Sequence, residues 1–150
     1  MFEDNKKIPD RLYISNNATD IVDQIDKNDI LLLGKSSNNR LNLFLFAMAR
    51  GLSTNLPTPL ISSKGFILES NIDIPHKALL YACYIGSLKD ISFIDDILDK
   101  DKVYNLAQEY ANTGFEIIES DMKETKESNM AFYMINELDK LHEKYFECSI

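Results

Sequence analysis

Cysteine, arginine and long apolar runs are scarce in this chain, and each scarcity narrows the choice of protein class. Cys83 and Cys148 are the only cysteines and form no CxxC spacing, so reduced thiols in a cytoplasm are the expected state. Three arginines, Arg11, Arg40 and Arg50, stand in a chain whose 24 Asp+Glu outweigh its 16 Lys+Arg, for a net charge of −8. Duplex nucleic acid is bound by cations that replace condensed counterions, so direct DNA contact is disfavoured except through a local basic patch. The longest apolar stretch, Leu41 to Ala49 with Asn42 inside it, falls well short of the ~20 residues that span a bilayer. The leading segment "MFEDNKKIPDR" shows no apolar h-region, which argues against secretion. No glycine-rich phosphate cradle is present either. The GKS at 34–36 has Asp29 where a phosphate loop needs its first glycine, and a carboxylate there would repel the ligand.

What is present is enough for one self-sufficient domain. At 150 residues, with 45% hydrophobic and 27% charged residues, the chain can bury about 70% of the surface it would expose unfolded. The acidic excess is uneven: residues 1–75 carry 8 Lys/Arg and 9 Asp/Glu, residues 76–150 carry 8 and 15.

Apolar spacing points to an all-α or mostly α fold, a bundle of five or six helices. Residues 1–17 form a loosely ordered N-terminal segment, in which Leu12, Tyr13 and Ile14 can make a short extended piece that docks on the domain, and 18–150 form the single helical domain. Ile21, Val22 and Ile25 recur at helical spacing after Asn16 or Asn17 as N-cap. "ILLLGKSS" at 30–37 reads equally as strand or buried turn. The segment at about 40–50 reads as a helix, with cap oxygens at 36–39, Arg50 in its last turn and Gly51 as a left-handed stop. Being apolar almost all round, it belongs at the centre of the bundle or in a subunit interface. Pro57, Pro59 and Gly65 turn the following stretch into loop, with room for a small hairpin at 55–70 whose turn would be Lys64-Gly65-Phe66. Asp73 and Pro75 start a helix that stops at Gly86, and a short helix at 92–98 follows. Asp99 or Asp101 caps the next helix, which either passes through Gly114 because something packs closely there or ends at it. The last helix covers 126–146, with Met130, Tyr133, Met134, Leu138, Leu141 and Tyr145 on one stripe.

No residue pattern carries an enzyme reading. Asp73/His76 and Asp139/His142 share a three-residue spacing that can serve a dimetal site, but the supporting glutamates are missing and Asp73 suits an N-cap. His76 and Cys83 lie two helical turns apart, yet Cys83 sits in apolar sequence and reads as a small hydrophobe. Glu109, Glu116 and Glu119 read as the wet face of their helix, and the aspartates at 95, 96, 99 and 101 as helix starts.

Two stretches, "RLNLFLFAMARGL" at 40–52 and "VYNLAQEYANTGFEII" at 103–118, resemble the small proteins associated with DNA phosphorothioation (dnd) systems and their archaeal relatives. In these an arginine precedes an apolar helix ending in glycine, and an "EYAN.G" segment closes the domain. The resemblance spans about residues 30–120. It implies a non-enzymatic accessory protein of a prokaryotic DNA-modification or defence locus, acting through protein partners or as a homo-oligomer, with no cofactor and no catalytic residues. The matching positions are Arg40, Glu109, Tyr110, Asn112 and Gly114, and Arg50 stands with them as a structural or interaction candidate. Arg40, at a helix start where the dipole disfavours a cation, is expected to pair with a carboxylate such as Glu109. Two rivals remain: a DNA-contacting regulator using Lys35, Arg40, Arg50 and Lys64, and a small metal-dependent enzyme using the histidines.

Overall fold

A computed structural model describes residues 10–28, 37–125 and 130–146. Within them lie five α-helices, two 3-10 helices and a two-stranded antiparallel ribbon, in the order β1 (Arg11–Ile14), α1 (Asn16–Asn28), α2 (Ser37–Thr54), β2 (Lys64–Leu68), a single 3-10 turn (Glu69–Asn71), α3 (Ile74–Ser87), the longer 3-10 helix Ile91–Leu98 (hereafter the 3-10 helix), α4 (Lys100–Thr125) and α5 (Met130–Phe146). The chain is a mostly α single-domain bundle, and the stretch at 30–36 and the start of the expected last helix at 126–129 lie outside the described residues. Among the described residues no helix is long and apolar enough to cross a membrane.

The centre is α2 crossed by α4. Between Leu41 and Leu52 only Asn42 and Ala49 are exposed, because a helix apolar on every side must be covered on nearly every side. Gly51 faces Tyr110 and Ala47 faces Gly114, so the two helices run in opposite senses. At both points backbone meets backbone: a Cβ on Gly51 would overlap the Tyr110 carbonyl, and one on Gly114 would overlap the carbonyl of Ala47. This approach explains why α4 runs unbroken through Gly114, where glycine costs a free helix about 1 kcal/mol. It also corrects the role of Gly51, which is helical. The left-handed stop is Asn55, with φ 55°, one residue past the end of α2.

Other boundaries follow local capping chemistry. The Ser15 hydroxyl accepts from the Ala18 amide at 3.0 Å, so it caps α1 in place of Asn16 or Asn17. Asp73 caps α3 through the His76 amide at 3.0 Å, and Asp99 caps α4 through the Asp101 amide at 3.1 Å. Helix α3 passes Gly86 and ends at Ser87.

The N-terminal piece around Leu12 docks. Leu12 is fully buried and Ile14 nearly so, and β1 pairs with β2, Arg11 opposite Leu68 and Ile14 opposite Lys64. Lys64-Gly65-Phe66 is therefore strand and not a hairpin turn, and the strand partner comes from some fifty residues upstream. Helix α5 docks by its first half, where Met130 is buried and Tyr133 and Met134 are partly so. From Leu138 to Phe146 every described side chain is exposed.

Candidate functional site

Of the candidate residues, Tyr110 and Asn112 enter one cluster and Arg50 a second, both built on α4. The first surrounds Asn112. Gln108 and Asn112, one turn apart, are buried polar residues on a helix otherwise packed on apolar neighbours, and they hold the chain segments that cross this face. The Gln108 side-chain carbonyl accepts from the Tyr13 amide at 2.8 Å. Asn112 accepts from the Ser15 hydroxyl at 2.8 Å and donates to the Thr58 and Pro59 carbonyls at 3.2 and 3.4 Å. The Thr113 hydroxyl lies 2.7 Å from both the Leu56 carbonyl and the Thr58 hydroxyl, and the Thr58 amide donates to the Glu109 carbonyl at 3.2 Å. Tyr110 reaches Asn55 at 3.4 Å. In this cluster β1 and the loop after α2 take from side chains the bonds that no sheet offers them. Ser15, Thr58, Pro59 and Asn112 border a cleft of about 320 Å3 with Glu116 at its rim. Their donors and acceptors are already engaged with one another.

The second cluster joins α2, α4 and α5. Arg50 donates to Asp121 at 2.7 Å, and the Tyr133 hydroxyl donates to the other oxygen of the same carboxylate at 3.0 Å. Above this chain Phe46, Met130, Met134 and Leu141 enclose about 60 Å3, space for one side chain. Burial and the Asp121 carboxylate both push the Tyr133 hydroxyl above its ordinary pKa, burial more, so it stays a donor.

Arg40 belongs to neither cluster, and its expected partner is corrected. It forms a two-point ion pair with Asp26 in the last turn of α1, one bond at 3.1 Å, and lies 5.8 Å from the centre of the Phe66 ring. Glu109 sits by the far end of α2, since the neighbouring Tyr110 carbonyl rests on Gly51. The eleven residues from Arg40 to Gly51 span about 16 Å of helix. Burial alone raises the pKa of the Glu109 carboxyl.

Arg40 and Arg50 are committed to internal carboxylates, Lys35 lies outside the described residues, and Lys64 stands on the ribbon. Among the described residues no group of three or more His, Cys, Asp or Glu is placed to hold a metal. His76 bonds to its own cap, Asp73, and the His142 ring stacks on Phe146 at 5.0 Å. Burial pushes the Cys83 thiol up to about 11, which leaves it protonated and unreactive at neutral pH.

Six participants escaped the sequence reading: Ser15, Asn55, Thr58, Gln108, Asp26 and Asp121. Gln108, Asn112 and Glu116 at four-residue spacing were a readable signal of a polar face; the aspartates had none, because their partners are 14 and 71 residues away. No family model, curated protein or solved structure matches the chain.

Proposed function

We propose that the protein is a non-catalytic accessory subunit of a cytoplasmic prokaryotic DNA-modification or defence complex, working by contact with a basic surface of a protein partner. The locus type comes from the resemblance of residues 40–52 and 103–118 to the phosphorothioation-associated proteins. The mode of action rests on one observation, the surface of the 3-10 helix. There Ile91 is 78% and Leu98 87% exposed, within a run that includes Asp90, Asp95, Asp96, Asp99 and Asp101. Large aliphatic side chains open to water among carboxylates suit a partner that offers an apolar patch ringed by Lys and Arg. The resemblance motifs themselves act as scaffold: Gly114 and Gly51 set the helix crossing, and Asn112 holds the loop.

The test is a tagged pull-down from the native host after nuclease treatment, wild type beside Ile91→Asp/Leu98→Asp. Stoichiometric recovery of a modification enzyme, nuclease or ATPase with the wild type and its loss with the variant is the expected result. Recovery of the chain without such a protein would remove the accessory reading.

A further inference from the structure

Helix α5 carries a second apolar surface, at the opposite end of the molecule. The 3-10 helix meets the start of α4, where Lys102 bonds Asp96 at 2.9 Å, whereas α5 meets its end through Asp121. The 19 residues of α4 from Lys102 to Asp121 separate the two contacts by roughly 28 Å. On α5 Phe132 is 71%, Leu138 61% and Phe146 69% exposed, with Ile135 also open. Ile135, Leu138, His142 and Phe146 recur every three or four residues, so they form one stripe beside the docked face.

We infer that α5 is a self-pairing arm, which joins two copies of this chain antiparallel through that stripe. Three observations choose a second copy over another partner. First, the arm differs in charge from its body: Met130–Phe146 holds Glu137, Asp139 and Glu143 against Lys140 and Lys144, close to neutral in a chain of net −8. Two such arms can approach where two bodies would repel. Second, the stripe is self-complementary only in reverse. An antiparallel alignment centred between Lys140 and Leu141 sets Ile135 opposite Phe146 and Asp139 opposite His142, each pair occurring twice by symmetry. Third, the area is sufficient. Counting about 200 Å2 for an open aromatic, the stripe offers on the order of 400 Å2 of apolar surface per copy, and the flanking polar residues bring the two-copy total near the roughly 1,000 Å2 that a specific interface needs. Because every described residue from Leu138 onward is exposed, a second helix can lie along this half of the arm.

Sedimentation equilibrium of the full chain over a concentration series tests the arm, with Ile135→Asp/Phe146→Ser as the breaking variant and circular dichroism to confirm its helicity. The wild type is expected at twice the chain mass and the variant at one. Asp139→Lys and His142→Glu should each weaken the dimer several-fold, and the two together should restore it. A wild type that stays monomeric at every concentration, or a dimer that survives the breaking variant, overturns the arm; a double swap weaker than both single changes overturns the antiparallel alignment. A monomeric wild type that still recovers its partner in the pull-down would sink the arm and leave the accessory function standing.

Discussion

The α2–α4 crossing and helix α5 are both apolar helical surfaces, yet they are used in opposite ways. At the crossing, glycines let two backbones touch, the large side chains nearby are buried or partly so, and the polar residues of α4 bind neighbouring backbone. On α5 the large side chains stand open and only the first half is docked, by Met130, Tyr133 and Met134. The difference shows how the same residue types serve two ends: where small residues admit close approach, apolar surface becomes core, and where bulky ones protrude, it stays available.

The sharpest way to break this contrast is to add a single carbon at the crossing. Gly114→Ala sets a methyl against the backbone of Ala47, which cannot rotate away, and should cost about 3 kcal/mol or more in urea denaturation. Gly86→Ala serves as control. With nothing within 4 Å of the added carbon, it should leave stability unchanged or raise it by up to ~1 kcal/mol.

The next effect belongs to the polar clamp. Asn112→Ala strands the Ser15 hydroxyl and the Thr58 carbonyl, and a loss of about 2 kcal/mol is expected. Faster amide exchange at Tyr13 and Thr58 would localise it, since both amides are held by the same face of α4.

A smaller effect is written in pH. Glu69 accepts from Lys100, from Lys77 at 3.1 Å and from the Tyr104 hydroxyl at 3.1 Å. The Lys100 hydrogen bond, ahead of the other two partners, holds its carboxyl down at about 2, against an ordinary 4.5. A carboxyl with a depressed folded pKa stabilises the native state above its unfolded pKa and stops doing so as pH falls through the folded one. Glu69→Gln should therefore cost about 1 kcal/mol at neutral pH, discounted for its partial exposure, with the difference from wild type closing between pH 4.5 and about 2 in thermal melts. Least is expected from α5: Phe132→Ser, outside the proposed pairing, should move stability by no more than about 0.5 kcal/mol. A larger loss would mean that α5 is a core helix and would erase the contrast.

Most helices were legible because their signals are local. The apolar period of 103–110, the caps at Asp73 and Asp99 and the all-round apolarity of α2 each need no more than a few neighbouring residues to act. Three of the errors share one cause. Gly51 reads as a helix stop by its freedom at positive φ, but its actual use is the space it leaves for Tyr110. Lys64-Gly65-Phe66 reads as a turn until β1 arrives from the other end of the chain. Arg40 was matched to the wrong acid because sequence gives charge and not position along a neighbouring helix.

The candidate site divides in the same way. Glu109, Tyr110, Asn112 and Gly114 were grouped by the family resemblance and not by their spacing. What each one touches was not readable. The amino-acid sequence by itself determined the helical class, the central place of α2 and the caps, since propensity and amphipathic period act over single turns. Only the tertiary structure decided that Gly51 and Gly114 are contact points, that Asn112 and Asp121 hold distant segments, and that one side of α5 is left uncovered. Those outcomes depend on which surfaces meet, and meetings between residues 14 to 97 positions apart leave no trace in local pattern.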